Sequence, residues 1–194
     1  GIISNDVEIL KKKTSIYSSI LSPQGRFLAD FFLSIIDDYF LIEIDREEEE
    51  NIIEKLNMYK LRSAIDLKLE KKINIYLISK DSQENIKKSN LNFFCFDDPR
   101  FKNFFKRLYV FNNSSSLNLE DYNLKGISNS KFNNLRLKYS IPNFKFDAIK
   151  NKSLLLEMRF DDLNGISWTK GCFMGQEVTA RMKYRNLMKK KLFK

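Results

Sequence analysis

The sequence predicts an α+β protein built on antiparallel-rich sheets with packed helices. Three observations predict it. Apolar or alternating runs of strand length recur up to residue 111, a Pro-Gly turn joins two of them, and helical periodicity is interspersed with the strands and continues beyond them.

Residues 16–21 read as a strand. Ser22-Pro23-Gln24-Gly25 is a turn, because Pro fixes one φ and Gly supplies a positive one. Residues 26–36 form the returning strand of a hairpin, and Asp37-Asp38 leads into a third strand at 39–44. Asp45 suits a helix N-cap, and Glu47, Glu48, Glu49 and Glu50 fill a first turn where carboxylates complement the helix dipole. Ile52, Ile53, Leu56 and Tyr59 give that helix one apolar face, so the Glu run reads as a solvated helix start rather than a metal site. Residues 65–69 and 73–78 alternate like strands, and 92–96 and 106–111 complete the sheet. Polar residues 112–116 mark a boundary. A helix at 129–139 follows, with Phe132, Leu135 and Tyr139 on one face, and Ile141-Pro142 ends it. A short apolar segment at 153–160 leads to the most distinctive run of the chain. The expected organisation is an α+β sheet domain at 1–112, a second α+β part at 113–188, and the start of a truncated further part at 189–194.

The composition narrows the chemistry. A chain of 194 residues holds one domain or two small ones and buries a core without disulfide staples. Its 17 Phe and 13% aromatic content exclude a disordered chain. The absence of His excludes a Ser-His-Asp triad, a Cys-His dyad and His-ligated zinc. The 2 Cys, Cys95 and Cys172, form no CxxC pair, which excludes a zinc ribbon, a thioredoxin-type motif and a four-Cys iron–sulfur site in one chain. The net charge of +9 invites a nucleic-acid reading. Most of it, however, sits in the acid-free tail: Arg181, Lys183, Arg185, Lys189, Lys190, Lys191 and Lys194. The abundance of Lys, Asn, Ile and Phe reads as AT-rich coding and a solvated basic face, so no stable nucleic-acid binding is expected. No run reaches the roughly 18 apolar residues of a membrane span, and no membrane partner is expected. The chain starts at Gly1 and ends in Lys-Lys-Lys-Leu-Phe-Lys, so a fragment cut at both ends is the expectation.

The distinctive run spans 164–181. Gly171 and Gly175 flank Cys172, and a helix starts near Gly175. A thiol near a helix N-terminus with Lys170 beside it is favoured as thiolate. Two readings stand open for Cys172: a reactive thiol, or a small apolar filler at a tight turn. Cys95, within Phe93-Phe94-Cys95-Phe96, reads as a core residue.

Lys170-Gly171-Cys172-Phe173-Met174-Gly175-Gln176-Glu177, followed by Arg181, resembles the signature of the YgfZ family, relatives of the glycine cleavage T-protein aminomethyltransferase. The opening Gly1 to Asp6, the Leu21-Ser22-Pro23-Gln24-Gly25-Arg26 hairpin with Asp30-Phe31, Asp98-Pro99-Arg100 and Tyr139-Ser140-Ile141-Pro142 also resemble that family. The chain departs from it where Pro-x-Glu-x-Asn becomes Leu155, Glu157 and Arg159, and where His-Arg-Gly becomes Tyr184-Arg185-Asn186.

The resemblance implies a T-protein/YgfZ-like folate-binding fold whose C-terminal β-barrel is missing from this chain. It implies bound tetrahydrofolate, or a derivative, and assembly or repair of [4Fe–4S] clusters in client enzymes, with an indirect effect on tRNA modification. Partners would be iron–sulfur client enzymes and assembly factors. The location would be the bacterial cytoplasm, or the mitochondrial matrix in a eukaryote. By the same resemblance Cys172 and Lys170 are the chemical residues. Asp30, Glu157 and Glu177 are candidates for the pterin, Arg181 or Lys170 for the acidic tail, and Gln176 for the same site. Whether the family catalyses a defined reaction is open, and the alternative is a folate-dependent aminomethyl transferase. No resident metal site is expected.

Overall fold

The computed structural model describes residues 1–101, 104–111, 118–188 and 190. The strand-length runs form two separate three-stranded antiparallel sheets instead of one. In the first, β1 (Ser15–Leu21), β2 (Phe27–Ile36) and β3 (Tyr39–Ile44) lie side by side in chain order. The β1–β2 turn closes where Gly25 N–H donates to the Ser22 carbonyl at 2.9 Å, with Gly25 at φ 75°. The register sets Ser19 opposite Asp30 and Tyr17 opposite Phe32, so these four share one face. Ile16, Ile20, Phe31 and Leu33 on the other face pack with Leu10 and with Ile52 of α1 (Glu49–Lys60). Asp45 caps as expected, but it caps a single 3-10 turn, Arg46–Glu48, by accepting from the Glu47 N–H; α1 begins after it.

The second sheet contains β4 (Ile73–Ser79), β5 (Phe93–Asp97) and β6 (Phe105–Phe111), with β6 in the middle. Ile78, Leu108 and Val110 pack with Ile86 of α2 (Gln83–Lys87) as its core. Just after β5 the fully buried Asp98 holds Arg100 at 2.7 Å and Arg107 of β6 at 3.1 Å. α3 (Asn129–Lys138) is capped by Ser128, which accepts from the Lys131 N–H. Phe132, Leu135 and Tyr139 are its half-buried stripe, as the spacing predicts.

The expected strand at 65–69 is absent: the segment has no regular structure, and Ile65 and Leu69 are exposed. Alternation proposes a strand, but a strand forms only where it pairs with an edge, and this segment pairs with neither sheet. The expected boundary at 112–116 lies outside the described residues, as does the segment at 189–194 apart from Lys190.

The chain divides into two compact units, Gly1–Leu67 with Ser140–Lys194, and Lys68–Tyr139. On its return to the first unit it forms α4 (Phe144–Asp147) and α5 (Gln176–Tyr184). Lys145 reaches Glu47 at 2.7 Å and Lys150 reaches Glu48 at 2.6 Å, so the returning segment uses part of the acidic run as its counter-charge. Phe144 and Phe160 pack edge to face, and Phe160 stacks on Tyr17 with ring centroids 4.7 Å apart. These rings cover the second face of the β1–β2 hairpin. Burial on both faces is why β2 carries apolar residues at successive positions and why β1 buries Ser18 and Ser19 beside its apolar residues.

Candidate functional site

The distinctive run forms an irregular loop, residues 165–175, between the turns at 154–164 and α5. A loop without its own backbone ladder needs other partners for its polar groups. Here they come from the first residues of the chain. Ser167 N–H donates to the Ser4 carbonyl at 3.1 Å, and Met174 N–H donates to the Gly1 carbonyl at 2.9 Å. Ser4 Oγ donates to the Gly165 carbonyl at 2.7 Å, and Asn5 Nδ2 donates to the Asn164 carbonyl at 2.9 Å. The same residues are fastened to β1. Ser19 N–H donates to Ser4 Oγ at 2.9 Å, Asn5 N–H to Ser18 Oγ at 3.1 Å, and Asn5 Nδ2 to the Tyr17 carbonyl at 2.7 Å. Ser4, Ser18 and Ser19 are fully buried, so the Ser4 and Ser18 hydroxyls need these partners, and Ser19 Oγ donates instead to the Ala29 carbonyl at 2.8 Å.

The loop also touches the β1–β2 turn backbone to backbone. A Cβ on Gly175 would lie 2.5 Å from the Ser22 carbonyl oxygen and 2.7 Å from Gly25 Cα. A Cβ on Gly25 would lie 2.8 Å from the Gly175 carbonyl oxygen. Both glycines sit at φ 75°, so conformation and close approach both require Gly. The two motifs that look alike only as turn signals in the sequence therefore meet in space. Gly175 is the N-cap of α5, as expected, and no side chain caps that helix.

Cys172 is exposed, three residues before that N-cap, and is followed by the buried ring of Phe173. Tyr59 of α1 donates its hydroxyl to Met174 Sδ at 3.2 Å. The loop is thus held on both sides of a thiol that faces solvent. Lys170 Nζ donates to the carbonyls of Ile3 and Asn5 at 2.9 and 2.8 Å, and lies 5.7 Å from the Phe173 ring centroid. Burial pushes its pKa below the ordinary lysine value, against a smaller upward pull from Asp6.

The other sequence-selected residues divide. Asp30 is half-buried on β2 and accepts the Tyr17 hydroxyl at 2.6 Å. Glu157 is half-buried in the turns before the loop, with no hydrogen bond or ion pair to its carboxylate among the described residues. Gln176 opens α5, half-buried. Glu177 and Arg181 are exposed and pair with each other one helical turn apart. Among the described residues no group of three or more His, Cys, Asp or Glu is placed to hold a metal ion.

Sequence reasoning missed Ser18, Ser19 and Tyr17, and used Ser4 and Asn5 only as a resemblance. A Ser inside a strand carries no signal that separates a buried rivet from a solvated hydroxyl. The departures from the family pattern are intelligible in backbone terms. Asn186, where the family has Gly, follows α5 at φ 50°, a left-handed position that Asn tolerates. Arg159, where the family has Asn, sits at φ 58° and is held by Asp162 at 3.0 Å and by the Ser140 carbonyl at 3.2 Å. Leu155 is buried.

No family model matches the chain. Curated relatives match nearly all of it. One from Neurospora crassa, named a mitochondrial iron–sulfur cluster assembly factor IBA57 homologue, is 30% identical over 99% of the chain and 47% of its own length. The chain is similar to the IBA57 homologues. Proteins of the same name from Dictyostelium discoideum and Pyricularia oryzae are 27% and 25% identical, over 100% and 99% of the chain. The chain spans about half the length of these relatives.

Proposed function

We propose that the chain is part of a mitochondrial factor that assembles iron–sulfur clusters in client proteins, with Cys172 as its working thiol and tetrahydrofolate, or a derivative, as its ligand. The observation that carries this reading is the exposed thiol on a pinned loop, in a chain that matches assembly factors of that name along 99% of its length. The cluster is cargo. One thiolate binds one iron, and the remaining ligands must come from a partner or client protein. A [4Fe–4S] client, and through it a cluster-dependent tRNA modification, belongs to the same reading, as does a T-protein-like fold.

The side chains fit a folate in part. A pterin presents N–H donors that a carboxylate accepts, and half-buried Glu157, with its carboxylate unpaired among the described residues, suits that role. Asp30 already accepts from Tyr17, which would orient it toward a ligand. The cations fit less well: Arg181 is paired with Glu177 and Lys170 is turned onto backbone carbonyls. When bound, a reduced folate would supply one-carbon or redox chemistry, while Asp30 and Glu157 hold its ring.

Titration of tetrahydrofolate into the chain by calorimetry tests the ligand. Saturable binding lost in Glu157→Gln, at unchanged melting temperature, is expected; equal binding by the variant contradicts the assignment. Turnover of an aminomethyl-lipoyl donor would instead favour the transferase.

A further inference from the structure

We propose that Lys170 is a positioning residue for Cys172: its ammonium clamps the Ile3 and Asn5 carbonyls and thereby fixes the loop that carries the thiol. The functional meaning rests on the assignment of Cys172 above, while the mechanical claim stands on the bonds themselves. An ammonium has three N–H donors, and two are spent on carbonyls at 2.9 and 2.8 Å. Hydrogen bonds from an ionised donor are about twice as strong as neutral ones. The two acceptors flank Ser4, whose hydroxyl is buried between β1 and Gly165. The clamp therefore closes on the most firmly seated point of the N-terminal segment.

The clamp completes a circuit. The Ser4 carbonyl holds Ser167 and the Gly1 carbonyl holds Met174, so Lys170 lies between two backbone attachments of its own loop. Cys172 lies between Lys170 and Met174, with Phe173 buried beside it. Without the ammonium, residues 168–173 keep their ends, the Lys170 N–H bond to Ser167 Oγ at 3.3 Å, the edge contact of the Trp168 ring with Tyr184 and the buried Phe173 ring. A lysine suits this geometry because its donors spread from one compact point. A guanidinium is planar and longer, and its fork matches carboxylates better than two carbonyls of one bent segment.

Hydrogen exchange and cysteine alkylation on the chain, wild type against Lys170→Met and Lys170→Arg, test the clamp. Both variants should lose exchange protection at 165–175 and 3–5 by about a hundredfold or more, as expected for two lost charge-assisted bonds. The pH midpoint of Cys172 alkylation should stay in place. Unchanged protection with a midpoint raised in Lys170→Met and restored in Lys170→Arg would overturn the proposal, because Lys170 would then act as a charge on sulfur. Should both variants unfold, exchange in the wild type decides: residues 3–5 and 165–175 opening together supports the clamp, and independent opening refutes it. In a cell-based cluster assay, Lys170→Arg should lose function at normal abundance, whereas rescue by Arg contradicts the proposal. If the wild-type chain is inactive there, the iron–sulfur reading fails while the exchange result still decides the clamp.

Discussion

Cys172 and Cys95 are the two thiols of the chain, and their surroundings separate them. Cys172 faces solvent from the pinned loop. Cys95 is half-buried in β5, and burial pushes its thiol pKa up, with Lys106 opposing and Asp97 adding to the rise. Iodoacetamide near neutral pH should therefore label Cys172 well before Cys95, as read by peptide mass spectrometry; equal labelling contradicts the assignment of roles. Lys170 makes a second prediction at this scale. Its pKa in the fold lies below the ordinary value of 10.5, so the unfolded chain binds more protons between the two values. Stability from this group is thus fully present above the unfolded pKa and falls as pH drops through the folded one. Urea midpoints of wild type minus Lys170→Met should rise with pH toward 10.5; a falling difference contradicts the burial argument. Cys172 and Lys170 were legible in the sequence as members of a motif. The Ile3 and Asn5 carbonyls that hold Lys170 were not, because a backbone acceptor leaves no trace in residue identity.

At the scale of elements, the β1–β2 turn and the N-terminus of α5 interlock through Gly25 and Gly175. Gly175→Ala forces a side chain into the left-handed region and into the Ser22 carbonyl, so it should cost about 2–4 kcal/mol by urea unfolding. A loss under about 0.5 kcal/mol, the usual range for a surface change, would mean that the contact is not tight. Asn186 offers the milder counterpart: Asn186→Gly should be neutral within about 0.5 kcal/mol, and Asn186→Val should destabilise by about 1–2 kcal/mol. The β1–β2 hairpin, β3, α1, α3 and the start of α5 were legible because each carries a local signal of turn, cap or period. The segment at 65–69 was misread because strand formation depends on a partner edge that its own residues do not encode. The acidic run was read as a helix start, which holds in part. Its pairing with Lys145 and Lys150 joins residues about a hundred positions apart and has no local sign.

At the scale of the molecule, the chain leaves its first unit after Leu67 and returns at Ser140. The candidate site is assembled from both ends of the sequence: the first residues, the β1–β2 hairpin and the loop before α5. This is why the opening residues, the Pro23–Gly25 hairpin and the Lys170–Glu177 run, far apart in sequence, meet around one loop, while Asp98-Pro99-Arg100 belongs to the second unit. On the function proposed above, Cys172 on that loop serves iron–sulfur cluster assembly. The most direct measurement replaces the matching part of the Neurospora crassa relative with this chain and expresses the hybrid in fungal cells lacking that relative. The readout is the activity of a mitochondrial [4Fe–4S] enzyme at matched hybrid abundance. The wild-type hybrid should be active, and Cys172→Ala should abolish that activity. Equal activity from both hybrids, or none from a soluble wild-type hybrid, contradicts it.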